Sequence, residues 1–357
     1  MIPFFRQEFN EEMKQAALSA LESEKFVLGE SVLRFEEAFA EYLGVKEAVA
    51  VSSGTAALKI ALLSLGIKPK QKVLVPAWSF IASATSVIHA GSKPLLVDVS
   101  EETALIEPAS LKSADRLAAV MPVHLYGQSC KMNELLDFCK DNKLLLVEDA
   151  CQAHGAEFNG KKAGSFGDAG CFSFYPTKNM NVGGDGGMIA TNNEEMAEKA
   201  RSYRDCGRVS TDSHGLIGFT ERLNTVNAAI GLVQLKYLDK WVEKRQKIAS
   251  IYQKNLPQNA FFSQIKGSTH SYNVFAIKAT EREKLLRVLE AEGIGYAVHY
   301  AKPIHLQPAF MDALGFKGGE FPASENLAKL VVSLPIYPSL KIEDAEKVCE
   351  AVNSVLK

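Results

Sequence analysis

Between about residues 46 and 190, short runs that are apolar at nearly every position alternate with stretches of helical period, and no other feature limits the fold so tightly. The runs are Ala48–Val51, Val73–Val75, Pro94–Val97, Ala118–Met121, Leu144–Val147, Cys171–Phe174 and Met188–Ala190. A strand with one face in water alternates polar and apolar residues. These runs do not, so both of their faces must be covered. Helical stretches such as Thr55 to Leu65 and Lys131 to Asn142 lie between them. Such alternation requires crossover connections, so the expected class is α/β, a mainly parallel sheet with helices on both faces.

The flanks read differently. Upstream, Val32, Phe35, Phe39 and Tyr42 recur at helical spacing, with Glu36, Glu37 and Glu41 expected on the opposite face. Glu194 to Tyr203 is helical and charged, whereas Asp205 to Phe219 has no period and reads as a long loop. Val226 to about Leu256 suits one long helix, stopped by Pro257. That helix leads into a smaller C-terminal α+β domain, with a strand over Ser271 to Ile277 and helices over Thr280 to Glu292 and Ile342 to Val355. The expected division is a large domain, 1–240, and a small one, 241–357.

Composition narrows the function. The 357 residues carry 40 Lys plus Arg against 42 Asp plus Glu, a formal charge of −2. No basic excess exists to neutralise a phosphate backbone, so nucleic acid is not an expected partner. No run approaches the roughly 18 apolar residues of a membrane span. The opening Met1-Ile2-Pro3-Phe4-Phe5-Arg6 lacks the basic-then-apolar layout of a secretion signal. The six cysteines form no CxxC pair and no ligand spacing with His, which points to packed thiols, no metal and a cytoplasmic setting.

Ligands of open α/β sheets sit at the carboxyl ends of strands. After the first run comes Ser52-Ser53-Gly54-Thr55-Ala56-Ala57-Leu58, a small-residue turn opening a helix. Its free N–H groups suit a phosphate, although an ordinary N-cap would look the same. After the fifth run comes Glu148-Asp149-Ala150-Cys151-Gln152-Ala153-His154-Gly155. A carboxylate at a buried strand end needs a partner, and an N-cap or a counter-charge to a bound cation both supply one. His154 reads more readily as a hydrogen-bonded structural histidine than as a ligand. After the sixth run come Tyr175-Pro176-Thr177-Lys178-Asn179 and then Gly183-Gly184-Asp185-Gly186-Gly187. Lys178 could be a nucleophilic amine or a solvated surface lysine. The glycines do not form a GxGxxG strand-turn-helix signature, because a strand resumes at Met188.

Together the three sites say more than they do singly. A phosphate-binding helix start, a buried strand-end Asp and a strand-end Lys follow in that order on one sheet. Pyridoxal phosphate needs those groups: a phosphate cradle, an acidic partner for its ring nitrogen and a Schiff-base amine.

The motifs also resemble a known family, the sugar-nucleotide aminotransferases of the DegT/StrS type, within the fold type I pyridoxal-phosphate enzymes. The resemblance rests on Ser53-Gly54-Thr55-Ala56-Ala57-Leu58, Pro76-Ala77-Trp78-Ser79-Phe80 and Pro122-Val123-His124-Leu125-Tyr126-Gly127-Gln128. It continues through Glu148 to Gly155, Phe172 to Asn179, Gly184 to Gly187, Ala228 to Leu235 and Tyr300 to Gln307. It implies that Lys178 forms the Schiff base and shuttles the proton, and that Asp149 pairs with the ring nitrogen. Gln152 would contact the phenolic-oxygen side of the ring, and Phe80, or alternatively Trp78, would stack on it. Gly54, Thr55, Ala56 and Ser173 would bind the phosphate.

The resemblance further implies a homodimer whose loop near Arg222 reaches the neighbouring site. The family usually has Asn two residues before that Arg, and Thr220 stands there in this chain. Tyr300, Lys302 and His305 fall in a segment that lies near the substrate entrance in relatives. The activity implied is transamination, from glutamate to a keto sugar nucleotide, serving surface polysaccharide or secondary metabolism. A cyclitol-type aminotransferase would share these motifs. Related sugar dehydratases carry His in place of the lysine, and a non-catalytic regulatory relative would have a degenerate site, whereas this chain has both Lys178 and Asp149.

Overall fold

The computed structural model describes residues 1–112 and 115–356. Its strands begin with β1 Glu47–Val51, β2 Lys72–Pro76, β3 Lys93–Val97, β4 Leu117–Val120 and β5 Leu145–Asp149. A two-residue pair, β6 Glu157–Phe158 and β7 Lys161–Lys162, precedes β8 Ala169–Ser173 and β9 Gly187–Thr191. Seven of these form one sheet in the order β1-β9-β8-β5-β4-β2-β3. β9 is antiparallel to both neighbours, and every other pairing is parallel. Six strands therefore end at one edge. The apolar runs found in the sequence are these seven strands; β1, β2, β5, β8 and β9 are buried on both faces as their composition requires, whereas β3, at the sheet edge, is only partly covered.

The helices before the long one are α1 Glu11–Ser23, α2 Glu30–Leu43, α3 Gly54–Ser64, α4 Ala82–His89, α5 Met132–Asn142 and α6 Glu194–Arg204. α3 is built of Ala, Leu and Ile and is buried almost throughout, packed on the sheet beside α4 and α6. α1, α2 and the 31-residue α7, Thr225–Asn255, cover the opposite face around Phe35, Phe39, Phe172 and Phe174. The lower half of α7 contributes Ile248, Ala249 and Tyr252 to a separate core. That core is completed by the antiparallel pair Phe275–Lys278 and Val331–Leu334 and by the helices Arg282–Ala291 and Ile342–Asn353. Among the described residues no helix is long and apolar enough to cross a membrane.

The structure departs from the sequence reading at several points, among them the strand expected over Ser271 to Ile277, which is confined to Phe275–Lys278. α4 is a helix the periodicity did not single out, because Ser83, Ala84 and Ser86 bury small polar and apolar residues alike. The segment after α6 is not all loop: Arg208–Ser210 pairs antiparallel with Ser213–His214, although all five residues are exposed. Glu36 does not face solvent on α2. It is 4% exposed, accepts the Ala50 N–H at 2.8 Å and pairs with the equally buried Arg204. An acid that pins the neighbouring strand can sit on the apolar face, because its partner neutralises it.

Candidate active site

The strand ends of β1, β2, β5 and β8 open into a cavity of about 450 Å³. At the end of β1, Ser53 caps α3 with extended backbone, and its Oγ accepts the Ala56 N–H at 3.1 Å. The N–H groups of Gly54 and Thr55 precede any helical partner and stand at the open first turn, where the helix carries its positive end. Gly54 is required by close approach. A Cβ there would stand 2.7 Å from the Ser173 Cβ and 2.9 Å from the Cys151 Sγ.

β5 ends with two acids in succession, and the alternation of a strand sends them to opposite faces. Glu148 points away from the cavity. It accepts the N–H groups of Gly164 (2.7 Å), Phe166 (2.6 Å) and Gly167 (2.8 Å) and meets the His124 Nε2 at 2.9 Å. The Cys130 N–H donates to His124 Nδ1 at 3.1 Å, so the imidazole proton sits on Nε2 and points at Glu148. Asp149 lines the cavity. Its Oδ2 accepts the Ser83 hydroxyl at 2.7 Å and its Oδ1 the Cys151 N–H at 3.2 Å. Ser79 lies 2.8 Å from Ser83, one helical turn before it, and completes a line of hydroxyls to the carboxylate.

Lys178 stands in the loop after β8, also lining the cavity. Its segment is held from the C-terminal half of the chain: Asn273 donates to the Thr177 carbonyl at 3.3 Å, and Asn179 donates to that of Ser271 at 2.9 Å. Burial pulls the ammonium of Lys178 below the usual lysine range, and the nearby Cys151 and Asp149 only partly oppose this. The Cys151 thiol is itself pushed far up by burial and stays protonated.

An aromatic side faces these polar groups. Phe80 is 55% exposed at the cavity, with the Tyr300 ring 6.0 Å away. Trp78 is fully buried and donates to the Tyr126 Oη at 3.2 Å, which leaves Phe80 as the ring available for stacking. Gln152 accepts the Tyr126 N–H at 2.8 Å and donates to the Tyr300 Oη at 2.7 Å, so its amide is fixed from both ends.

Most of the residues singled out in the sequence meet here: Gly54, Thr55, Phe80, Asp149, Gln152, Ser173, Lys178 and Tyr300 all line the one cavity. Four do not. Ala56 is buried and spends its N–H on the Ser53 cap. Lys302 is exposed on the surface. His305 is wholly buried between Phe316 and Phe321, with its Nε2 2.9 Å from Glu325, so it cannot bond a ligand in the cavity. Thr220 is exposed, 3.4 Å from the Cys206 Sγ, and does not line the cavity.

His154 differs from its reading too. It packs against Phe172 and Phe174, neither ring nitrogen has a hydrogen-bond partner among the described residues, and burial depresses its pKa to about 3. The ligand atoms of His305, Glu320 and Glu325 do lie within 4.8 Å of one another. The two carboxylates, however, already cap the N–H groups of Lys317, Gly318 and Gly319. The sequence reading missed Ser79, Ser83, Asn273, His299 and Phe4. Only the two serines carried a signal, as polar residues one turn apart just past a buried strand.

The donor set fits pyridoxal phosphate. An open helix start beside Ser173 suits a dianion, Asp149 offers a carboxylate at the cavity floor, and Phe80 leaves a ring face free. Lys178 supplies an amine whose charged form burial disfavours.

Comparison with known proteins agrees. The family model described as the DegT/DnrJ/EryC1/StrS aminotransferase family matches residues 7–353. The chain is 37% identical over 363 residues to a dTDP-3-amino-3,6-dideoxy-alpha-D-galactopyranose transaminase of Aneurinibacillus thermoaerophilus, covering 99% of each protein. It is also 37% identical over 353 residues to a protein of Geobacillus stearothermophilus named a pleiotropic regulatory protein, covering 97% of this chain and 95% of that one. Among solved structures it is similar to S. venezuelae DesV in complex with a ketimine intermediate, at 35% identity and a TM-score of 0.93, covering 96% of this chain and 94% of the other. With motifs, cavity and comparisons in agreement over nearly the whole length, the chain belongs to the DegT/DnrJ/EryC1/StrS aminotransferase family.

Proposed function

We propose that this aminotransferase moves an amino group from glutamate onto a keto sugar carried on a nucleotide, in the biosynthesis of an amino sugar. The observation that carries the reading is the convergence of Lys178, Asp149 and the open first turn of α3 on one cavity. The substrate class is supported by relatives named as transaminases of dTDP-linked amino sugars and as a GDP-perosamine synthase. Pyridoxal phosphate, when bound, supplies an aldehyde that condenses with amines and a ring that takes up the electron pair left when a C–H bond beside nitrogen breaks.

This chain's residues do the rest. Gly54, Thr55 and Ser173 would hold the phosphate, Asp149 would face the ring nitrogen, and Phe80 would lie on the ring. Ser83 and the Cys151 N–H fix the Asp149 oxygens, so the carboxylate points one way before anything binds. Lys178 alternates between holding the cofactor and, once displaced by a substrate amine, acting as a neutral base at its Nζ. Burial lowers its pKa from the ordinary lysine value, which favours the neutral amine that a base requires. Tyr300, oriented by Gln152, offers its hydroxyl to whatever enters above.

The same proposal includes a homodimer working in the cytoplasm. Val209 and Ile217 are 61% and 94% exposed in the segment that carries Thr220, and this supports a loop that packs against a neighbour. The cysteines are all free, as suits a reducing compartment. The division into 1–240 and 241–357 is supported by a core built almost wholly of residues after 240, joined by Ile2, while Ile304, Phe310, Leu327 and Val331 pack into cores of the larger unit.

The test is spectroscopic and then analytical. Glutamate added to the holoenzyme should convert the cofactor's absorbance to that of its amine form, and a panel of keto sugar nucleotides should then yield a product slightly heavier than the ketone, as exchange of the carbonyl oxygen for hydrogen and an amino group requires. An unchanged spectrum would favour a regulatory protein. Amination of cyclic ketones alone would favour a cyclitol enzyme.

A further inference from the structure

The residues proposed to hold the cofactor all come from the strand ends and their loops, yet the start of the chain also reaches the cavity. Phe4 and Phe5 line it, brought there by the first residues of the chain. Ile2 is buried in the C-terminal core and makes a parallel bridge to Ile294. Its N–H donates to the Gly293 carbonyl at 2.9 Å, and its carbonyl accepts the Gly295 N–H at 2.7 Å. Pro3 has a fixed φ of its own and holds Ile2, the residue before it, to the extended backbone that this bridge uses. The Phe4 ring then rests 5.8 Å from that of His299, which also lines the cavity. Gly295 is needed for this path. A Cβ at that position would run into the Phe4 nitrogen and stand 3.1 Å from the Pro3 carbonyl carbon.

From this arrangement we infer that residues 2–5 form a specificity wall, and that Phe4 and Phe5 select acceptors whose facing edge carries carbon–hydrogen rather than hydroxyl. The two side chains have no donor or acceptor, and Val274 and Ile336 extend the same apolar surface. A hydroxyl pressed against them would lose its water and gain no partner, whereas a methyl or a ring C–H face would be desolvated favourably. His299 adds no charge there. Burial, and secondarily Lys178, hold its pKa down at about 4, and Ser333 lies 2.9 Å from its Nδ1. The inference rests on the aminotransferase reading above and adds the residues that choose the acceptor.

The experiment compares wild-type holoenzyme with Phe4→Ala, Phe5→Ala and Gly295→Ala. Each is given paired keto acceptors differing only by methyl or hydroxymethyl on the ring, both as sugar nucleotides and as cyclic non-nucleotide ketones. Wild type should favour the methyl member by about tenfold or more in kcat/KM. The two phenylalanine variants should lose most of that preference through a raised KM for the methyl member. Gly295→Ala, which changes no lining side chain, should move it the same way by displacing the strap, and it carries the test should a phenylalanine variant fail to fold. The rate at which glutamate converts the cofactor should stay within about twofold in all three. The inference is overturned if wild type shows no preference, if the variants keep it, or if the glutamate step slows as much as the acceptor step. If only cyclic ketones are aminated, the sugar reading falls while the wall is still judged on their methyl and hydroxymethyl pair.

Discussion

Glu148→Gln replaces one oxygen with an NH₂ and should be among the most destabilising conservative changes in the molecule, although Glu148 touches nothing in the cavity. The carboxylate is 0% exposed and takes four donors. In the variant the remaining oxygen can keep Phe166 and Gly167, which share Oε1. The NH₂ then meets the Gly164 N–H and the protonated His124 Nε2, donor against donor. His124 cannot yield by changing tautomer, because its Nδ1 would confront the Cys130 N–H.

One or two buried donors are therefore orphaned, at about 1–3 kcal/mol each, and two charge-assisted bonds become neutral ones. The total expected loss is about 3–5 kcal/mol, the range seen when one partner of a buried ionic group is removed. The assay is urea unfolding of the apo protein, reading the midpoint at unchanged slope. Hydrogen exchange at Gly164, Phe166 and Gly167 gives a local readout. A midpoint shift worth less than about 1 kcal/mol would show that the network reorganises freely and that the four contacts do not act as counted.

Other outcomes follow from the same geometry. Lys178→Ala should abolish both half-reactions and leave the apo unfolding midpoint near wild type; residual turnover at the wild-type rate would remove Lys178 from the mechanism. Asp149→Asn should slow transamination by more than about tenfold, near 1.4 kcal/mol, and a smaller loss in stopped-flow rates would reduce Asp149 to a structural cap. Glu36→Ala strands Arg204 in the core and should lower stability by about 3–5 kcal/mol in the same urea assay, with a neutral result showing that water reaches the guanidinium.

Acid should destabilise the fold through three of its histidines, His154, His270 and His299. Burial lowers His154 and His270 to about 3 and His299 to about 4, from an unfolded value near 6.5. Below pH 6.5 the unfolded chain takes up protons that the folded chain refuses, so stability falls from there toward pH 3–4, and His154→Leu should flatten that slope. An unchanged slope in His154→Leu would mean that His154 finds water in the folded state.

Much of this fold is written in its composition of faces. Strands such as Val73–Val75 and Leu144–Val147 have no polar side to hide, which forces two covering layers and so a crossover topology. Helices whose burial follows no stripe escaped that logic. α4 puts Ser83 and Ser86 inward because they bond Asp149 and the Ser83 carbonyl, not because they are apolar. Glu36 escaped for the same reason, since a partner 168 residues away decides its burial.

The site divides along a similar line. Gly54, Asp149 and Lys178 were legible because a parallel sheet brings its strand ends to one edge, so chain order alone places them together. The acceptor side obeys no such rule. Tyr300 reaches the cavity while Lys302, two residues on, lies on the surface, and His305 turns inward to hold Glu325. Phe4 arrives from a segment anchored by backbone bonds to Gly293 and Gly295, which no periodicity records. The residues proposed to hold the cofactor are thus fixed by topology, whereas those proposed to face the acceptor come from irregular segments whose positions depend on contacts far away in sequence. Such segments are free to vary while the sheet keeps the chemistry in place, and one family can therefore serve different acceptors with the same lysine and aspartate.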